Sequence, residues 1–157
     1  MTAKAPPKRH PNLSLAIPAS IVADIPHLRE KTTKIGFLGR ALAIFRVDEV
    51  IIYPDRLGKD QRREINLIEV ILSYMETPQY LRKHLFKVRP ELRYAGMLPP
   101  LRTPHHPLRN RMKDLNPREY REGIITFIDR QGAHVEIGVE NPVLVPGLKA
   151  LVNTRVT

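Results

Sequence analysis

The sequence predicts an α/β protein built in two parts: a parallel strand–helix–strand unit, then a run of short strands. Three observations predict it. Up to about residue 89, apolar positions recur at helical spacing around two short apolar runs. From Pro90 to Pro117 prolines fall every few residues, and from Gly123 short apolar stretches alternate with turn residues. The divisions that follow are a basic arm over 1–12, a partial α/β unit over 13–89, a basic Pro-rich connector over 90–122 and a small β segment over 123–157.

The arm holds Lys4, Lys8, Arg9 and His10 among three prolines, without apolar periodicity. Such a segment cannot fold alone and is a solvated tail or an arm that orders on RNA. Leu13 to Ile17 is a short apolar run closed by Pro18, which reads as a buried strand. Asp24 is a candidate cap and Pro26 suits a first helical turn. Leu28, Ile35, Leu38, Leu42 and Phe45 then recur at spacings of three, four and seven, the pattern of a helix with one buried face. Gly36 and Gly39 inside it each cost about 1 kcal/mol relative to alanine, so close packing against a neighbouring backbone is the expected compensation. Lying mid-helix, they match neither a dinucleotide fingerprint nor a P-loop.

Val47 to Tyr53, ended by Pro54, is the second strand and completes a βαβ unit. Asp48 and Glu49 read as its solvated entrance rather than a catalytic pair. Asp55 follows at the end where open α/β sheets bind ligands, as a single acid. Asp60 to Met75 reads as a helix with Ile65, Ile68, Leu72 and Met75 on one face, and Pro78 to Phe86 as a third helix opened by proline. Pro90 to Pro117 excludes regular helix and favours an irregular path. Ile124 to Ile128, Ala133 to Gly138, Pro142 to Val145 and Leu148 to Val156 read as strands of a small barrel or sandwich, with turns at Gly132, Asn141 and Pro146-Gly147.

At 157 residues, with 42% apolar and 27% charged residues, the chain can bury one ordinary core or two small ones. It has no cysteine, which excludes disulfides, thiolate zinc sites and cysteine nucleophiles. No apolar run approaches the roughly 18–20 residues of a membrane span, and the first residues lack a secretory signal's apolar core. The expectation is a soluble, cytoplasmic protein without a membrane partner. A net charge of +10 points to a polyanion, in preference to charge that only aids solubility.

Pro78 to Glu122 concentrates that charge, with eleven basic against four acidic side chains. Arginine presents a planar fork matched to phosphate oxygens, so Arg82, Arg102, Arg109 and Arg111, with Lys83, are the candidate phosphate contacts, and Lys8 and Arg9 of the arm join them. Adjacent Arg82 and Lys83 should fan across one side of their helix. His105 and His106, flanked by Pro104 and Pro107, are read as a turn and an RNA contact in preference to a metal site or a catalytic base. Residues 123–157 carry three basic and three acidic side chains and one aromatic, Phe127. A base-stacking surface needs more of both, so the central stretch is the expected RNA binder.

The stretches LSLAIPASIV, HLREKTTKIG, RALAIFRVDEVIIYPD and PQYLRKHLF, and above all LRYAGMLPPLRTPHH at Leu92 to His106, resemble the SPOUT-class RNA methyltransferases of archaea and eukaryotes over roughly residues 12–157. The resemblance implies a partial SPOUT-like, Rossmann-like α/β domain with a small OB-like β-barrel inserted in it. It also implies S-adenosylmethionine bound in a trefoil knot, a homodimer, and action on or association with RNA. In that family the knot follows the inserted barrel, and the sequence stops at Thr157, so the knot is expected to be absent and no catalytic, cofactor or metal residue is assigned.

Two parallel strands are too few for a stable sheet and leave both edges open, so extra strands, a self-partner or a scaffold are required. The resulting expectation is a structural or accessory, non-catalytic RNA-binding protein, derived from such a methyltransferase but lacking its cofactor-binding half, associated with the ribosomal RNA and neighbouring ribosomal proteins of an archaeal large subunit and without a cofactor. The alternatives are an active S-adenosylmethionine-dependent RNA methyltransferase whose knot comes from a missing segment or second chain, and a self-associating scaffold.

Overall fold

In the computed structural model, which describes residues 10–116 and 119–157, strand β1 (Ser14–Pro18) pairs in parallel with β2 (Glu49–Tyr53). The long crossover holds α1 (Leu28–Ile44). The register sets Ala16 opposite Ile51 and Ile17 opposite Ile52. Alternation along the strands then divides the sheet into two faces. Ile17 is buried, and Ile52 packs on the helix side with Val22, Ile35 and Ile68. Ile51 and Tyr53, on the opposite face, remain 49% and 41% exposed.

Helix α1 buries Thr32, Ile35, Gly36 and Gly39. The expected face is therefore rotated: Leu28, Leu38 and Leu42 are half-buried, and Phe45, which lies beyond the last helical turn, is 66% exposed. The glycines cause the rotation by letting neighbours approach. A Cβ on Gly36 would stand 3.0 Å from both Leu98 Cδ2 and Pro99 Cδ, and one on Gly39 would stand 2.8 Å from Met75 Sδ. The close packing is thus against side chains rather than a neighbouring backbone. Thr32 satisfies its buried hydroxyl by donating to Leu28 O at 2.8 Å.

Helix α2 (Arg62–Glu76) buries Leu67, Ile68, Val70, Ile71 and Met75, a wider arc than the four-residue stripe expected. It lies between α1, the turn at Ala19–Val22 and the turn at Pro90–Leu92. Full burial of Ile68 and Ile71 is worth about 1.5–3 kcal/mol each. After α3 (Gln79–Leu85), residues 90–116 contain three short 3-10 turns and no α-helix or strand.

Strands β3 (Gly123–Ile128), β4 (Ala133–Glu136), β5 (Val143–Val145) and β6 (Arg155–Val156) form an antiparallel sheet in the order β5-β4-β3-β6. Among the described residues this sheet is open rather than a closed barrel. The expected strand from Leu148 shrinks to Arg155–Val156 because its backbone is spent on a turn. Thr154 N donates to Leu151 O, Asn153 takes a left-handed φ of 68°, and Asn153 N then donates to Ile125 O at 2.8 Å. A separate small core of Ile125, Ala133 and Val135 lies beneath this sheet.

Tyr80 of α3 ties the two parts together. Its hydroxyl donates to Glu122 O at 2.6 Å, and its ring lies against Gly138, where an added Cβ would meet ring carbons at 2.6 Å. Burial pushes the Tyr80 hydroxyl up to about 12.

Candidate nucleic-acid interface

The last turn of a helix leaves carbonyls without intrahelical donors, and its dipole favours cations there. In α2 those carbonyls are Met75, Glu76 and Thr77, and three of the candidate site residues fill them. Arg82 donates Nε to Thr77 O at 3.0 Å and Nη2 to Met75 O at 3.2 Å, with its guanidinium 4.5 Å from the centre of the Tyr74 ring. His106 places Nε2 2.6 Å from Glu76 O and Nδ1 3.0 Å from Leu101 O. His105 places Nε2 3.2 Å from the same Glu76 carbonyl, and the two imidazoles lie 4.6 Å apart. The Pro-His-His-Pro turn is thus a helix cap.

The Glu76 carboxylate, with Oε1 3.6 Å from His105 Nε2, also reaches the β sheet. Arg155 of β6 donates Nη1 to Oε2 at 3.2 Å and Nη2 to Oε1 at 3.1 Å, and also pairs with Glu122. Burial of the Arg155 guanidinium works against its charge, but the hydrogen bonds to Glu76 and Glu122 prevail and raise it. One helix end therefore joins α3, the 101–106 turn and β6.

A groove of about 980 Å³ runs beside this junction. Leu42 and Gly39 of α1, Val50 and Ile52 of β2, and Leu72 and Met75 of α2 form its apolar walls. Arg102, His105, Glu69 and Glu76 bring polar groups to it.

The remaining sequence candidates separate. Lys8 and Arg9 lie outside the described residues. Lys83 and Arg102 are exposed and make no ion pair with a described residue. Arg109 stands 3.6 Å from Glu119, and Arg111 lies beside Glu140, whose carboxyl is lowered chiefly by hydrogen bonds from the Met112 and Glu140 backbone. Arg82 and Lys83 do not fan outward together, because Arg82 turns in to the α2 end.

Residues that sequence spacing passed over hold this surface together. Arg121, counted by sequence with the surface charge, is 9% exposed. It donates Nε to Glu119 Oε1 at 2.8 Å and Nη1 to the carbonyls of Arg109 and Ile137 at 2.9 and 3.3 Å. Its Nη2 lies 2.8 Å from the same Glu119 oxygen, an ion pair without hydrogen-bond geometry. Burial alone would raise the Glu119 carboxyl, but Arg121 outweighs it and lowers the group.

At the carboxyl end of β1 and β2, Asp55 accepts from Ser20 Oγ at 2.5 Å, Ser20 N at 3.0 Å and Gln61 Nε2 at 3.0 Å. Gln61 Oε1 in turn accepts the amides of Asp55 and Arg56, both at 2.9 Å. The Ser20 hydroxyl, then Gln61, hold the Asp55 carboxyl at about 2. Among the described residues, no helix is long and apolar enough to cross a membrane.

The comparisons with known proteins agree with one another. An uncharacterized protein of Halobacterium salinarum is 36% identical over 148 residues, which are 92% of this chain and 51% of the relative. A 28S rRNA (uridine-N(3))-methyltransferase of Homo sapiens is 36% identical over 165 residues, 89% of this chain and 41% of the relative. The protein of the same name from Drosophila melanogaster is 34% identical over 166 residues, 89% of this chain and 33% of the relative. The chain spans about half the length of the first of these, and less of the others. These relatives overturn the expectation of a non-catalytic ribosomal protein, since two of them are named for methyl transfer to rRNA. A family model described as "Putative RNA methyltransferase" matches residues 12–157, and the chain belongs to that family.

Proposed function

We propose that this chain is part of an RNA methyltransferase that acts on ribosomal RNA. The family match over residues 12–157, with relatives named rRNA (uridine-N(3))-methyltransferases, is the observation that carries the reading. In it, residues 13–89 are the first portion of a SPOUT-class α/β domain, 90–122 a connector and 123–157 an OB-like insertion. The uncovered face at Ile51 and Tyr53 supports this division, because parallel sheets are normally covered on both faces. The cover comes from the part of the relatives' length outside the match or from a second copy of the chain.

The methyl donor of this reading is S-adenosylmethionine. The described residues do not fit it by themselves. At the carboxyl end of β1 and β2, where an open α/β sheet takes its ligand, the polar groups of Ser20, Asp55 and Gln61 are engaged with one another.

What the chain contributes is RNA positioning. Lys83, Arg102 and Arg111 are the phosphate contacts, because their charges are exposed, whereas Arg82 and the His105–His106 pair hold the end of α2. The test is nucleoside analysis of ribosomal RNA from cells with and without the gene. One N3-methyluridine of the large-subunit RNA disappears on deletion; an unchanged methylation pattern sinks the reading.

A further inference from the structure

We propose that the outer face of the β3–β4 hairpin is a stacking site for one unpaired RNA base, with Phe127 and His134 as its platform. The proposal rests on the RNA reading above and places on the β segment a contact that its net charge and lone aromatic argued against.

Phe127 and His134 are cross-strand partners, and His134 is in turn opposite Leu144 of β5. The three side chains therefore make a row across three strands, away from the core formed by Ala133 and Val135 on the other face. The Phe127 and His134 rings are stacked, with centroids 3.9 Å apart and planes 14° from parallel. Aromatic pairs left to themselves favour offset or edge-on arrangements. Here the imidazole is held from the side, with Nε2 2.7 Å from Asp129 Oδ2. Asp129 is itself fixed in the turn by the amides of Gln131 at 2.8 Å and Gly132 at 3.1 Å on its other oxygen. The platform is thus set before any ligand arrives, which lowers the ordering cost of binding.

One face of the Phe127 ring lies on the imidazole, and the residue is still 47% exposed, which leaves side-chain surface for a ligand. Leu144, 37% exposed, extends the row. A flat apolar platform about one ring wide suits a nucleobase, whose π face stacks whatever its sequence. It is far smaller than the several hundred Å² of an apolar protein-docking patch. Beside the platform, Asp129 is engaged by His134 and by the turn amides, while Arg130 on the same turn is exposed, makes no ion pair with a described residue and can meet the phosphate beside a stacked base.

The test uses the 157-residue chain and a 12-nucleotide single-stranded RNA with a central 2-aminopurine, whose emission is quenched by stacking. The parent chain binds and quenches. Phe127→Ala weakens binding about tenfold and abolishes the quench, while Phe127→Tyr keeps both. The salt dependence of Phe127→Ala stays that of the parent, because no phosphate contact is lost, whereas Arg130→Ala lowers the log–log slope by about one. If the parent binds and Phe127→Ala binds and quenches equally well, the stacking site is overturned and the RNA reading stands. If the parent binds no RNA, both fall.

Discussion

Gly39→Ala sets helix propensity against packing, and the structure decides the sign. Alanine in a helix interior gains about 1 kcal/mol over glycine. At this position the new Cβ would lie 2.8 Å from Met75 Sδ, 2.9 Å from Met75 Cε and 3.1 Å from Leu72 Cδ2. Favourable contacts lie near 3.5–4.0 Å, so about an ångström must be found. Met75 is flexible in principle but only 2% exposed and packed in the cluster with Ile35, Ile68 and Ile71, and overpacking of such a site typically costs about 1–3 kcal/mol. The clash wins, and Gly39→Ala destabilises the chain by about 1 kcal/mol. Met75→Ala alone costs about 2–5 kcal/mol. In that background the obstructing atoms are gone, and Gly39→Ala becomes stabilising by about 1 kcal/mol. Urea unfolding of the four proteins, followed by helical circular dichroism, measures the cycle and should give a coupling of about 2 kcal/mol. A stabilising Gly39→Ala in the parent, or the same effect in both backgrounds, refutes the reasoning.

Three further outcomes follow from the contacts described. Tyr80→Phe leaves the Glu122 carbonyl unpaired and costs about 1–2 kcal/mol in urea unfolding. Because the Tyr80 hydroxyl is raised to about 12, its stabilisation is full below pH 10 and lost as pH climbs toward 12, so a phenolate absorbance step near 12 should vanish in the variant. Asp55 is depressed from 3.8 to about 2, so its contribution is present above about pH 4 and lost as pH falls through 2. Asp55→Asn should flatten the acid limb of the urea midpoint between those values, and an unaltered limb counts against the Ser20–Asp55–Gln61 network. Arg102→Ala and Lys83→Ala should each lower the salt slope of RNA binding by about one without moving the unfolding midpoint. Arg82→Ala should lower the midpoint and leave the slope unchanged, and the reverse pattern would show that the cap and contact roles are exchanged.

What the sequence made legible was local. The βαβ unit and α2 rest on periodicities within a few turns of chain, and their observed ends lie within about two residues of the expected ones. The buried face of α1 is not legible in the same way, because Gly36 and Gly39 have no side chain to signal burial, yet their bareness admits Leu98 and Met75. The barrel failed to close for a reason no β pattern carries: the segment before β6 gives its amides to a turn held on Ile125. In the candidate site, LRTPHH was legible as a turn, but its partner, the end of α2, lies some thirty residues earlier. Arg121 and Arg155 look in sequence like any surface arginine, and only tertiary structure shows Glu119, Glu76 and Glu122 around them.

The same contacts change how the basic charge should be weighed. A charge that releases counterions from RNA must reach phosphate without abandoning a partner in the protein. Arg82 holds two carbonyls at the α2 end, Arg121 is buried against Glu119, and Arg155 bridges two glutamates. For these, a phosphate would have to replace bonds already made, and the gain would be largely cancelled. His106 is bound in the same way, between Leu101 O and Glu76 O. Lys83 and Arg102 are exposed and carry no such debt, and Arg130 shares that condition at the far hairpin. The proposed RNA path therefore follows the exposed, unspent cations rather than the densest run of basic residues. The central stretch divides into a scaffold that fixes the junction and a smaller set of exposed side chains, the proposed contacts to nucleic acid.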